Sequence, residues 1–149
     1  MTKKSKIAAV CAVLLLIACG LIWWYLPVRF LRGVEPEEVA AIVVSNGNNG
    51  DVFELTDPDD ISYLVNSVKQ ISLRKYGRVP GADYYYSLTF IGENGEEIDS
   101  FGIQNHNFMR RGDDFYRRDG EPGIIAEYLD HLESIRFPDY KMDPDFRYS

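Results

Sequence analysis

Residues 84–103, YYYSLTFIGENGEEIDSFGI, read as two strands and the turn between them. Aromatic and β-branched residues fill Tyr84 to Ile91, the composition that suits a pleated, half-buried surface. Glu93-Asn94-Gly95-Glu96 follows, and Asn-Gly supplies two residues that tolerate the left-handed backbone of a tight hairpin turn. The chain then returns through Glu97 to Ile103. Strict alternation breaks between Ile98 and Phe101, and Gly102 is the expected place for a bulge. Strand, short turn and strand can only pair antiparallel, so this stretch sets the sheet type.

Working outward, the same grammar recurs upstream. Val39 to Ser45 (VAAIVVS) is a β-branched run closed by Asn46-Gly47-Asn48-Asn49-Gly50, with Asp51 to Leu55 as the returning strand. Asp57-Pro58-Asp59-Asp60 then predicts a helix start: a capping side chain, proline in the first turn, and carboxylates facing the positive end of the helix dipole. Ile61, Leu64, Val65 and Val68 form one apolar stripe, which fades at Ile71 to Leu73. Arg74 to Ala82 (RKYGRVPGA) reads as a basic, glycine-containing loop.

Downstream, Phe108 to Arg111 and Phe115 to Arg118 flank Gly112-Asp113-Asp114 as a third, short hairpin, expected at the sheet edge. Glu121-Pro122-Gly123 opens a second helix whose stripe is Ile124, Ile125, Tyr128, Leu129 and Leu132. The order of elements predicts an α+β fold for residues 37–136: an antiparallel sheet of about six strands with two helices on one face. Residues 137–149 contain two prolines and no period, and read as an irregular tail.

At the other end stands IAAVCAVLLLIACGLIWWYL, Ile7 to Leu26, without a charge or a proline. As a helix its twenty residues reach about 30 Å, the thickness of a bilayer's hydrocarbon core. Trp23, Trp24 and Tyr25 stand where amphipathic rings favour the headgroup region, and Pro27 ends the helix. Residues 1–6 carry Lys3, Lys4 and Lys6, against Arg29 and Arg32 beyond the span; the positive-inside rule makes residues 1–6 a cytoplasmic tail and puts everything from Pro27 outside. Residues 27–36 are expected to be a juxtamembrane linker. Leu16-Ile17-Ala18-Cys19 also resembles a lipobox, making Cys19 a candidate lipidation site and a lipid anchor the alternative to an uncleaved signal anchor.

Composition narrows the partners. The net charge is −7, and the segment beyond Leu26 keeps 13 basic against 23 acidic residues, or −10. A surface of that sign repels phosphate backbones, so nucleic acid is excluded. Cys11 and Cys19 are the only cysteines and both lie in the apolar run, so the domain beyond it holds no disulfide; no Asn-x-Ser/Thr sequon occurs either. Together these favour a bacterial envelope over a eukaryotic ectodomain.

No nucleophile-histidine-acid arrangement, zinc-protease motif, phosphate loop or paired-cysteine motif is present, so no catalytic, metal or cofactor residue is assigned. Two surface candidates remain. Arg110, Arg111, Arg117 and Arg118 crowd one hairpin of an acidic domain, either as an anion site or as charges that blunt an edge and pair with acids across the strands. Tyr85, or Tyr84 with Tyr86 on the opposite face, would offer a stacking platform if exposed, and core packing if not. Arg111-Gly112-Asp113 spells an integrin-binding tripeptide, although glycine and aspartate are what a turn requires. His106 reads as a turn residue and His131 as a helix flank.

The basic-apolar start, the strand Ala40 to Ser45, the Asp57 to Ile61 helix start, the Tyr84 to Ile91 strand and Gly112 to Tyr116 before a last helix resemble uncharacterised single-span or lipoprotein-like α+β domains of low-GC Gram-positive bacteria. The resemblance covers most of residues 37–133 and implies a bacterial envelope protein without assigned catalytic residues. The expected function is a non-catalytic module binding an envelope protein, peptide or cell-wall component. The alternatives are a hydrolase using the loop acids Asp113, Asp114 and Glu93, and a regulatory partner acting through small residues of its span, Ala8, Ala9, Ala12 and Gly20, on another membrane protein.

Overall fold

The computed structural model describes residues 3–77, 85–104, 107–119 and 124–139. Helix α1 (Lys3–Tyr25) is followed by a 3-10 turn at Pro36–Glu38, then β1 (Val39–Asn46), β2 (Val52–Leu55), α2 (Pro58–Gln70), β3 (Ser72–Tyr76), β4 (Tyr86–Gly92), β5 (Glu97–Ile103), β6 (Phe108–Arg111), β7 (Asp114–Asp119) and α3 (Ile124–Arg136). The strands form one antiparallel sheet in the order β2-β1-β4-β5-β6-β7-β3. The α+β class and the antiparallel sheet are as the sequence predicts, with seven strands among the described residues instead of about six.

The additional strand is β3, in a region expected to be helix end and loop. Helix α2 stops at Gln70, Ile71 turns the backbone extended, and residues 72–76 pair with β7 from Ser72↔Asp119 to Tyr76↔Phe115. Only Leu73 of this strand is a fully buried apolar residue, so its sequence has no alternation to read. Because β3 lies outside β7, the β6–β7 hairpin is interior, which corrects the expected edge position. The irregularity in β5 falls at Ile98, skipped between Phe90↔Asp99 and Ile91↔Glu97, and not at Gly102. The segments before α3 and after Asp139 lie outside the described residues.

One face of the sheet is the core face. Ile42, Val44 and Asn46 of β1 stand opposite Phe90, Leu88 and Tyr86 of β4, and Leu88 and Tyr86 stand opposite Phe101 and Ile103 of β5. All of these are buried. Helix α2 starts as expected, with Asp57 accepting from the Asp59 backbone N–H at 2.8 Å and Pro58 in the first turn. Its stripe of Ile61, Leu64, Val65 and Val68 joins the core, as do Ile125, Leu129 and Leu132 of α3. The two helices touch through Tyr63 and Tyr128, whose rings are 4.2 Å apart, and the Tyr128 hydroxyl donates to Asp60. The opposite face carries smaller and more polar side chains, such as Thr89 and Ser100, whose hydroxyls are 3.1 Å apart.

Residues 27–36, expected to be a linker, contain two core residues. Phe30 is 0% exposed and Leu31 2%. The Phe30 ring packs 5.0 Å from Phe101 and edge-on, at 5.2 Å, to Tyr116. Leu31 has φ 53°, a left-handed conformation that costs a non-glycine residue about 1 kcal/mol, while burying its side chain returns about 2 kcal/mol. Gly33 at φ 81° completes the turn. Just before it, Val28 pairs with Leu73 through two backbone hydrogen bonds of 2.7 and 2.9 Å, covering the outer edge of β3.

Phe30→Ala is therefore expected to destabilise the domain by about 3–5 kcal/mol, as for a core aromatic, in urea unfolding followed by near-UV circular dichroism. An exposed linker residue would change the midpoint very little. A second expectation concerns pH. Burial, then the hydrogen bond to Asp60 and the neighbouring Asp60, Tyr63 and Asp57, push the Tyr128 hydroxyl from 10.0 to about 12. A folded-state value raised above the unfolded one stabilises fully below pH 10 and is lost as the pH climbs towards 12. Unfolding midpoints over that interval should fall more steeply for the native chain than for Tyr128→Phe.

Candidate functional site

The recess of most chemical interest lies where α1 meets the sheet. Strand β3 places Leu73 and Lys75 on the core face, opposite Arg118 and Tyr116 of β7. Since Val28 runs antiparallel along the outer edge of β3, the last turn of α1 falls beside Lys75. Trp23, Trp24 and Leu26 form one wall of a groove of about 350 Å³, and Lys75, Asp114 and Tyr116 form the other. The Lys75 ammonium is 3.0 Å from the Asp114 carboxylate and 5.2 Å from the centre of the Trp24 ring. Both ionic side chains are partly exposed, so the ion pair contributes at most about 1 kcal/mol. The sequence signal for this site is the Trp-Trp pair at the end of the apolar run; Lys75 was hidden in what read as a loop.

The four arginines of the β6–β7 hairpin do not converge. Arg111 and Arg118 lie on the core face, Arg110 and Arg117 on the other, because β6 and β7 alternate with a period of two. The Arg111 guanidinium lies 3.8 Å from the centre of the Phe30 ring and is hydrogen-bonded to Asp99 of β5. Arg110 bonds the Gly112 carbonyl, approaches Asp113 at 3.6 Å and covers the Phe115 ring. Arg117 is exposed and stands in register with Arg74, which itself pairs with Asp119. Burial lowers the pKa of Arg118 from the usual arginine value, and its guanidinium remains charged at neutral pH. Arg111 pairs with Asp99 across the strands and Arg110 with Asp113 within the turn, and the hairpin that carries the four arginines does not lie at a sheet edge.

Tyr85 is 6% exposed and meets Tyr86 edge-on at 4.9 Å, so its ring offers no free face. The Arg-Gly-Asp tripeptide is not presented as a unit, because Arg111 is held beneath Phe30 while Asp113 is fully exposed. Cys11 and Cys19 are exposed thiols on α1, whose helix continues past Cys19 to Tyr25. His131 is exposed on α3, and its carbonyl accepts from Ser134. His106 and Tyr84 lie outside the described residues. Of the loop acids, Asp113 turns to Arg110 and Asp114 to Lys75, while Glu93 belongs to the separate β4–β5 turn. Among the described residues, the groove contains one carboxylate, Asp114.

A residue that sequence reasoning passed over is Glu133. It is 0% exposed, and its two oxygens accept from Asn46 Nδ2 at 3.1 and 2.9 Å, Asn49 Nδ2 at 2.9 Å and the Tyr86 hydroxyl at 2.6 Å. This ties α3 to the end of β1 and to the β1–β2 turn. Every neighbour donates, so the site requires an acceptor-only group, and the pattern belongs to a structural clamp. The signal was present: Glu133 follows Ile125 and Leu129 at intervals of four, a polar residue on an apolar stripe.

Glu133→Gln, nearly the same shape, turns an amide N–H₂ towards donors and should cost about 1–3 kcal/mol, with Glu133→Ala costing more because it also leaves a cavity. Thermal unfolding of both variants checks this; midpoints equal to the native chain would remove the clamp. No family model, curated protein or solved structure matches this chain.

Proposed function

We propose that the chain is a single-span membrane protein holding a non-catalytic interaction module on the outer face of a bacterial cell membrane, where it binds an envelope protein, a peptide or a cell-wall component. The observation that carries this reading is the contrast between α1 and the rest. From Ile7 to Leu26 every side chain is exposed, and none is charged, whereas large apolar side chains in the sheet and its helices are mostly buried. Such exposure is costly in water and favourable in lipid, where α1, from Lys4 to Tyr25, is long and apolar enough to cross.

The attachment of α1 to the sheet supports a module held at a set attitude. Backbone pairing of Val28 with Leu73 and burial of Phe30 leave no free tether between them. Lys3, Lys4 and Lys6 before the span, against Arg29 and Arg32 after it, support a cytoplasmic start and an outer domain. A domain with a charge of −10 suits partners with basic or neutral surfaces.

Membranes washed with alkaline carbonate should retain the whole chain, and protease added to intact protoplasts should remove the domain while sparing the span. Cys19→Ser should change intact mass only by the exchange of sulfur for oxygen and leave retention unchanged. Loss of residues 1–18 together with a diacylglyceryl addition at Cys19 would replace the span with a lipid anchor. Cross-linked pull-down from envelope extract should recover a specific partner, and repeated failure to do so would count against the interaction role.

A further inference from the structure

We propose that the groove between the end of α1 and the β3–β7 edge holds the headgroup of one zwitterionic, aminoalkyl-phosphate phospholipid, with its phosphate on Lys75, its ammonium on Asp114 and its glycerol end against Trp24 and Leu26. The inference rests on reading α1 as a membrane span. If α1 crosses a bilayer, Trp23 and Trp24 stand at the headgroup level, and the groove they wall lies at that level. Lipid is then the molecule present at the highest concentration at its mouth.

The two walls differ in the way a phospholipid differs along its length. The α1 wall is apolar and aromatic; among the described residues the sheet wall offers one ammonium, one carboxylate and the Tyr116 ring. The groove's volume of about 350 Å³ falls within the range of small-molecule sites. Left to water, the same volume would hold about a dozen molecules against the Trp24 and Leu26 surface, which cannot hydrogen-bond along most of its area.

Charge decides the headgroup. Lys75 and Asp114 are 3.0 Å apart and partly exposed, so they can exchange each other for a ligand that brings both signs. A phosphate alone would take Lys75 and be repelled by Asp114. A phosphate followed by an ammonium satisfies both. The acidic domain as a whole further disfavours anionic headgroups.

The full chain in nanodiscs of equal parts phosphatidylethanolamine and phosphatidylglycerol, released and weighed by native mass spectrometry, tests this. One phosphatidylethanolamine per chain should stay bound, enriched several-fold over phosphatidylglycerol. Lys75→Gln should abolish retention of both lipids, and Asp114→Asn should shift retention towards phosphatidylglycerol, with far-UV circular dichroism unchanged for each. Equal retention of the two lipids by the native chain, or retention indifferent to both substitutions, would overturn the proposal. Failure of the chain to enter nanodiscs at all would instead overturn the reading of α1 as a span.

Discussion

The structure depends most on the burial of Phe30. This one ring, five residues beyond the end of α1, fills the end of the core between β5, β6 and β7, against Phe101 and Tyr116. It also supplies the face on which Arg111 lies, so that an arginine on the core side of a strand finds both a π-surface and, in Asp99, a counter-charge. Without the ring, Arg111 would be a half-buried cation with a cavity beside it. The backbone pairing of Val28 with Leu73 is secured by the same insertion, which gives β3 a neighbour on its outer side.

Seen this way, the segment between α1 and β1 is part of the fold. Its conformation carries strain at Leu31 that the burial of that side chain more than offsets, and the outcome is a helix held to a sheet at two points: Val28 on the β3 edge and Trp24 beneath the Lys75 ammonium. A flexible tether would let the domain sample many attitudes relative to α1. This junction selects one, and it creates the groove as a consequence.

The polar interior follows a similar logic at the other end of the sheet. Glu133 lies against Asn46, Asn49 and Tyr86, three neutral donors from two separate stretches of chain, and a single acceptor group satisfies them all. Hydrophobic burial alone would press α3 on the sheet without defining where it stops. The clamp sets that position, because any sliding of the helix by one residue strands buried donors.

What the sequence determined by itself is what local interactions settle. The apolar length of Ile7 to Leu26, the Asn94-Gly95 hairpin, the Asp57 cap and the α2 stripe each depend on residues a few positions apart, and all but the bulge position stand in the structure as read. Tertiary structure alone decided the rest, since it turns on partners far apart in the chain. Ser72–Tyr76 is a strand because β7 offers it hydrogen bonds from 39 to 47 residues away. Phe30 is core because Phe101 and Tyr116 leave room for it. Lys75 and Trp24 meet only because the chain doubles back along β3, a path that no pattern in either stretch encodes.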